Sequence, residues 1–230
     1  PTKATNTFNL PLYRIFAAMA LAAVVVALTV LSCITRKTFK NVYSAKNEIE
    51  GDCFGVITHE KKLQTLRSFI RRPRKSVLIN SPTCSFMFEE SNRKFAENLR
   101  FKMDQNGYKR VLVTSVAENE GKSTISTNLA LALSSMGKKV LIIDVDFRKP
   151  ALYKIVEKDR ASFPDIISYI DGSSEIEDII CKFARTGVDM VMNFGSRRDS
   201  ASFIRSEKLK ELLDYADQHY DYVILDSSPI

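Results

Sequence analysis

Gly121-Lys122-Ser123-Thr124 lies between an apolar run and a helical one, a placement few folds can accommodate. Arg110-Val111-Leu112-Val113-Thr114-Ser115 is short, apolar and ends in small polar residues, as a buried strand does. After the group, Ile125, Leu129, Ala132, Leu133 and Met136 recur at helical spacing, and Gly137 ends the helix. A strand entering a helix through such a turn presents unpaired N–H groups and the positive end of the helix dipole, and both attract phosphate. Gly121 lets the backbone come close without a Cβ. Lys122 can place its ammonium on β- and γ-phosphates, and Ser123 can offer a hydroxyl to Mg²⁺. Val116 stands where the usual G-x-x-x-x-G-K-[ST] pattern has its first glycine.

Two further runs end in acid. Val140 to Ile143 leads to Asp144 and Asp146, followed by Phe147 and Arg148, and Tyr222 to Leu225 leads to Asp226. Open parallel sheets bind ligands at the carboxyl ends of their strands. The pattern therefore predicts an α/β fold of the P-loop NTPase type, with a mostly parallel sheet flanked by helices. Lys122, Ser123, Asp144, Asp146 and Asp226 should surround one Mg-nucleotide.

Ile15 to Ile34 holds no charged residue. Twenty helical residues span about 30 Å, the thickness of a bilayer's hydrocarbon core. The run predicts one transmembrane helix over 14–35. Arg36, Lys37, Lys40 and Lys46 follow it, whereas only Lys3 and Arg14 precede it. Positive flanks stay inside, so the body after the span is expected in the cytoplasm, with 1–13 on the far side. Residues 36–80 read as a juxtamembrane linker, with a short helix from Arg36 to Glu50, a small strand at Phe54-Gly55-Val56-Ile57 and a basic stretch from Lys61 to Lys75 that suits a membrane surface. Residues 81–230 form the nucleotide-binding domain. The chain starts at Pro1 and stops just after its last strand pattern, which reads as a fragment cut at both ends.

Composition narrows the partners. Net charge is +7, but no Lys/Arg block is interleaved with aromatics, so no nucleic-acid partner is expected. Cys33, Cys53, Cys84 and Cys181 form no C-x-x-C pair, and the only histidines are His59 and His219, so no zinc site is expected.

The motifs in combination resemble the bacterial tyrosine kinases of capsular and exopolysaccharide biosynthesis, in the form fused to a polysaccharide chain-length determinant. The loop Val116 to Thr124 resembles their Walker A, Asp144-Val145-Asp146-Phe147-Arg148 their additional Walker A-prime, and the Asp226 strand their Walker B. Glu90-Ser91-Asn92-Arg93-Lys94-Phe95-Ala96 resembles their E-x-x-R-x-x-R ring-assembly helix, with Ala96 in place of the final arginine. Arg205 to Leu209 resembles the segment before Walker B.

The resemblance implies transfer of the ATP γ-phosphoryl group to a tyrosine, on a neighbouring copy of the chain. It implies ATP contacts from Ala117, Glu118, Asn119, Glu120, Gly121, Lys122, Ser123, Thr124 and Arg148, and Mg²⁺ contacts from Ser123, Asp144 and Asp226. Asp144 and Asp146 would divide metal contact and acceptance of the tyrosine proton. Glu90 and Arg93 would serve a ring-shaped homo-oligomer. Further implied partners are the polysaccharide polymerase and export machinery, a cognate phosphatase and the inner membrane of the bacterial cell. Glu118 replaces the family's usual proline, and the family's C-terminal tyrosine cluster is not in this chain. Two other readings remain open. One is an ATPase switch of the chromosome- or septum-positioning type, whose signature lysine position is Ala117 here. The other is a nucleotide-binding scaffold without catalysis.

Overall fold

An uncharged run of this length can satisfy its backbone in a membrane only as a helix, and helix is what forms. The computed structural model describes residues 10–35, 50–60, 77–82, 84–156, 163–183, 186–197 and 200–230. These divide into two units, Pro1–Cys53 and Phe54–Ile230. In the first unit, α1 runs over Leu10–Thr35. Its stretch Tyr13–Ser32 is long and apolar enough to cross a membrane. The expected juxtamembrane helix (apart from Glu50) and the basic stretch lie outside the described residues, as do residues 1–9.

The second unit opens with a departure from expectation. Phe54 to Ile57 is not a strand. Its backbone bonds to helix side chains rather than to a ladder. Phe54 O accepts from Asn98 Nδ2 at 2.7 Å, and Thr58 N donates to Ser91 Oγ at 3.2 Å. Both partners sit on α2, Phe86–Asn106. Local chemistry sets the ends of α2: Ser85 Oγ accepts from Phe88 N, and Gly107 takes the left-handed conformation at φ 68°.

The chain then alternates: β1 Arg110–Val113, α3 Lys122–Ser135, β2 Val140–Asp144, α4 Leu152–Ile155, α5 Ile166–Ile170, α6 Ile176–Ile179, β3 Ile180–Phe183, β4 Val188–Val191, α7 Ser200–Ile204, α8 Glu207–His219 and β5 Tyr222–Asp226. The sheet order is β1-β5-β2-β4-β3. The first four are parallel in sequence of neighbours, and β3 pairs antiparallel with β4 at the edge. The mostly parallel sheet expected from the sequence is therefore present.

Side-chain parity divides the core. Val140, Ile142, Tyr222 and Ile224 point to the face covered by α2 and α3, where Ala96, Leu99, Met103, Leu129 and Leu133 are buried. Leu141, Ile143 and Val223 point to the other face, against Ile166, Tyr169, Leu209, Leu212 and Ala216 of α5 and α8. A strand buried on both faces has no polar side to show, which is why β2 reads as an unbroken apolar run. Each such Val, Leu or Ile stabilises the fold by about 1.5–3 kcal/mol.

One buried amide clips a passing segment to this core. Asn128 on α3 is 1% exposed. Its Oδ1 accepts from Ile79 N at 3.0 Å, and its Nδ2 donates to Val77 O at 3.1 Å. Asn128→Ala leaves both backbone groups unpaired and should cost about 2 kcal/mol in a urea titration. A loss below about 0.5 kcal/mol would show that water replaces the clip.

Candidate functional site

The register fixes where the chemistry sits. Asp226 pairs with Asp144 across β5 and β2, and with Val113 across β5 and β1. All three carboxyl ends therefore lie side by side. The turn from β1 into α3 opens directly over them. It is tied down by Thr114 Oγ1, which donates to Ser228 O at 2.9 Å, and by Ile230 N, which donates to Ser115 O at 3.0 Å.

Two residues take positive φ in this turn, Asn119 at 62° and Gly121 at 89°. Gly121 precedes the first turn of α3, and no side chain caps it. Open space lies where its Cβ would stand, so conformation rather than crowding calls for glycine there. A helix leaves its first N–H groups without intrahelical partners, and an uncapped start facing a cleft is an anion site.

The cleft encloses about 1070 Å³. Its wall contains Ala117, Glu118, Asn119, Gly121, Lys122, Ser123 and Thr124 from the loop, and Asp146 and Arg148 from the end of β2. The structure thus brings most of the residues singled out in the sequence to one cavity. Lys149, Lys154 and Arg197 join them. Lys149 was legible as the neighbour of Arg148. The other two arrive from α4 and from the segment after β4, and no local signal marks them.

Asp144 and Asp226 stand behind this wall. Asp226 is 1% exposed, and Ser126 Oγ donates to its Oδ1 at 3.0 Å. Burial pushes its carboxyl up to about 6, against the pull of the Ser123 and Ser126 hydroxyls and of Lys122. Asp144 is fully buried. Its Oδ1 accepts from Asp146 N at 3.1 Å and its Oδ2 from Leu152 N at 3.3 Å. Burial first, and Asp226 second, push its carboxyl well above the ordinary range. Two adjacent carboxylates held short of positive charge suit a divalent cation, which would supply that charge.

Asp146 differs from both. It reaches the cleft, and its Oδ1 closes a turn by accepting from Arg148 N at 3.0 Å and Lys149 N at 2.9 Å. Asn193, buried and unremarked in the sequence, supports it by donating from Nδ2 to Asp146 O at 3.0 Å.

The loop's two acids are also placed. Lys149 Nζ bonds both oxygens of Glu118, at 2.7 and 2.6 Å, and so lowers the Glu118 pKa. The acid that replaces the family's proline thus has its own counter-charge. Glu120 turns away from the cleft wall and accepts from the loop's own amides, Val116 N and Ala117 N, both at 3.1 Å.

Glu90 and Arg93 lie on one face of α2. Arg93 Nε is 3.9 Å from Glu90 and 3.7 Å from Glu97, and Lys94 also approaches Glu90 at 3.6 Å. Ala96 is not on that face: it is wholly buried in the core.

Known proteins resemble this chain in sequence and in fold. The chain is 31% identical over 145 residues to the tyrosine-protein kinase CpsD of Streptococcus agalactiae, covering 62% of this chain and 61% of that protein. It is 30% identical over 141 residues to the EpsB protein of Ralstonia nicotianae, covering 61% of this chain but only 18% of that one. The chain therefore spans less than two thirds of either relative. The solved BceF tyrosine kinase domain has the same fold, with a TM-score of 0.70 over 84% of this chain and 78% of that one, at 20% identity. A family model described as an AAA domain matches residues 109–230, the stretch that carries β1 to β5 and every strand-end carboxylate. Since that match takes in more than half of its length, the chain belongs to the AAA domain family.

Proposed function

We propose that this chain is the nucleotide-binding part of a membrane-anchored, ATP-dependent protein tyrosine kinase of capsular or exopolysaccharide synthesis. The observation that carries the reading is the uncapped start of α3, with Lys122 and Ser123, facing Asp146 across one cleft, with the carboxylate of Asp226 directly behind its wall. Relatives named tyrosine-protein kinases support the choice of reaction. Ala117 in place of the signature lysine argues against the positioning-ATPase reading.

In this reading Lys122 neutralises the β- and γ-phosphates, while Arg148, Lys149 and Arg197 hold the outer charge of the nucleotide. Ser123, with Asp226 bonded behind it, would hold Mg²⁺, which would neutralise charge developing on the phosphoryl oxygens. Asp144, its oxygens taken by the N–H groups of Asp146 and Leu152, would shape the site from within rather than contact the metal as the sequence implied. Phosphoryl transfer is mostly positioning and charge neutralisation, and a loop held in place beside several cations supplies both. Asp146 is the better acceptor for the tyrosine proton. It opens onto the cleft, whereas both oxygens of Asp144 are engaged in a sealed interior. Residues 14–35 would span the inner membrane and 81–230 would lie in the cytoplasm, joined by the linker. Glu90 and Arg93 would contact a second copy, with the export machinery and a phosphatase as further partners.

The test is an anti-phosphotyrosine blot of the intact gene product with Mg-ATP, beside its Lys122→Met variant. The expected result is a signal that the variant loses. ATP binding without phosphotyrosine in either protein would move the assignment to the switch, and normal polymer export by Lys122→Met would move it to the scaffold.

A further inference from the structure

We infer that Glu120 is a positioning residue that holds the phosphate loop open, replacing rigidity that the loop's sequence lacks. The inference rests on the nucleotide-binding reading of the same cleft. The usual pattern begins with a glycine, and the resembling family adds a proline. Here those positions carry Val116 and Glu118. Neither residue shapes the turn. Val116 is 85% exposed, and Glu118 points out to Lys149. The loop still adopts an open form with two residues at positive φ, one of them the non-glycine Asn119. Something must offset that backbone cost.

The structure shows one device at the right place. A single oxygen of Glu120 accepts from two successive amides, Val116 N and Ala117 N, both at 3.1 Å. Ser115 Oγ adds a bond to Ala117 O at 2.6 Å. The loop is thereby stapled across its mouth, from the residue before Gly121 back to the end of β1. Bonds to a charged acceptor are the stronger class. The amides used are at the loop's entrance. The helix start beyond Gly121 is left uncapped, so the staple does not occupy the anion site.

A carboxylate so near a phosphate site also repels it. The two effects have opposite signs, and one substitution separates them. Glu120→Gln keeps an oxygen that can accept from both amides and removes the charge. Glu120→Ala removes both. If Glu120 positions the loop, Glu120→Gln binds Mg-ADP as tightly as the parent or more tightly, and Glu120→Ala binds about tenfold more weakly. If Glu120 acts only as a nearby charge, both variants bind more tightly, and the inference is wrong.

The experiment is titration of the full chain with Mg-ADP, for the parent, Glu120→Gln, Glu120→Ala and Lys122→Ala. Amide hydrogen exchange at Val116 and Ala117 is measured on the same samples. Faster exchange at these two amides in Glu120→Ala, but not in Glu120→Gln, is the expected companion result. Unchanged exchange in Glu120→Ala overturns the staple whatever the binding shows. Lys122→Ala tests the underlying reading separately. If it binds Mg-ADP like the parent, the cleft is not the nucleotide site, while the exchange data still decide the role of Glu120.

Discussion

Asp226→Asn should make the nucleotide-free protein more stable at pH 8 by about 2 kcal/mol, while lowering the phosphotyrosine formation proposed above about a thousandfold. The stabilisation follows from the carboxyl's raised pKa, about 6 against the ordinary 3.8. The folded state holds this proton more tightly than the unfolded chain does. Its contribution to stability is therefore full below about pH 4 and is lost as the pH rises through about 6. A shift of this size corresponds to about 3 kcal/mol, of which an amide should recover most, because the Ser126 hydroxyl can still donate to its oxygen. The loss of activity follows because an amide cannot offer Mg²⁺ the charge that a carboxylate does. Chemical denaturation from pH 4 to pH 8 checks the first part. The parent should lose stability across that window, and the variant should lose less, the remainder coming from buried Asp144. A variant less stable than the parent at pH 8 would mean that Asp226 is already compensated within the fold. Retained kinase activity would remove it from the metal site.

Ala96→Arg, the substitution that restores the assembly motif of the bacterial tyrosine kinases this chain resembles, should unfold this protein or destabilise it by more than about 4 kcal/mol. Ala96 is wholly buried among the side chains that join α2 to α3 and the sheet. An arginine there would bury an unpaired charge in space sized for a methyl group. Thermal melting of the intact protein checks it. A variant that melts within a few degrees of the parent would mean that α2 can rotate to expose position 96. The same observation sets a limit on assembly through this helix. In this chain only Glu90 and Arg93 remain on the exposed face, and they already pair with each other and with Lys94 and Glu97. Any contact with a second copy must compete with those local pairs.

Much of this protein is written in its sequence at short range. The β1–loop–α3 unit follows from periodicity, Gly121 and Gly137. The strand ends carry their acids in plain view, and parallel topology places them together. The uncharged run before residue 36 forms a helix because its backbone has no other way to be satisfied in an apolar setting. These features are local, so spacing alone reveals them.

What spacing could not reveal was decided by contacts between distant segments. Phe54 to Ile57 has the composition of a strand, but among the described residues it joins no ladder, and side chains of α2 bond the backbone of Phe54 and of the adjoining Thr58 instead. Asn128 looks like an ordinary helix residue until Val77 and Ile79 arrive beside it. The three carboxylates look equivalent in the sequence. Packing makes them different, sealing Asp144 and Asp226 behind the wall and leaving Asp146 at the cleft. Lys154 and Arg197 reach the same cavity from separate elements. Residue type and periodicity specify which elements form and which chemical groups they carry. Burial, pairing and charge environment depend on which groups meet in three dimensions, and only the folded chain determines that.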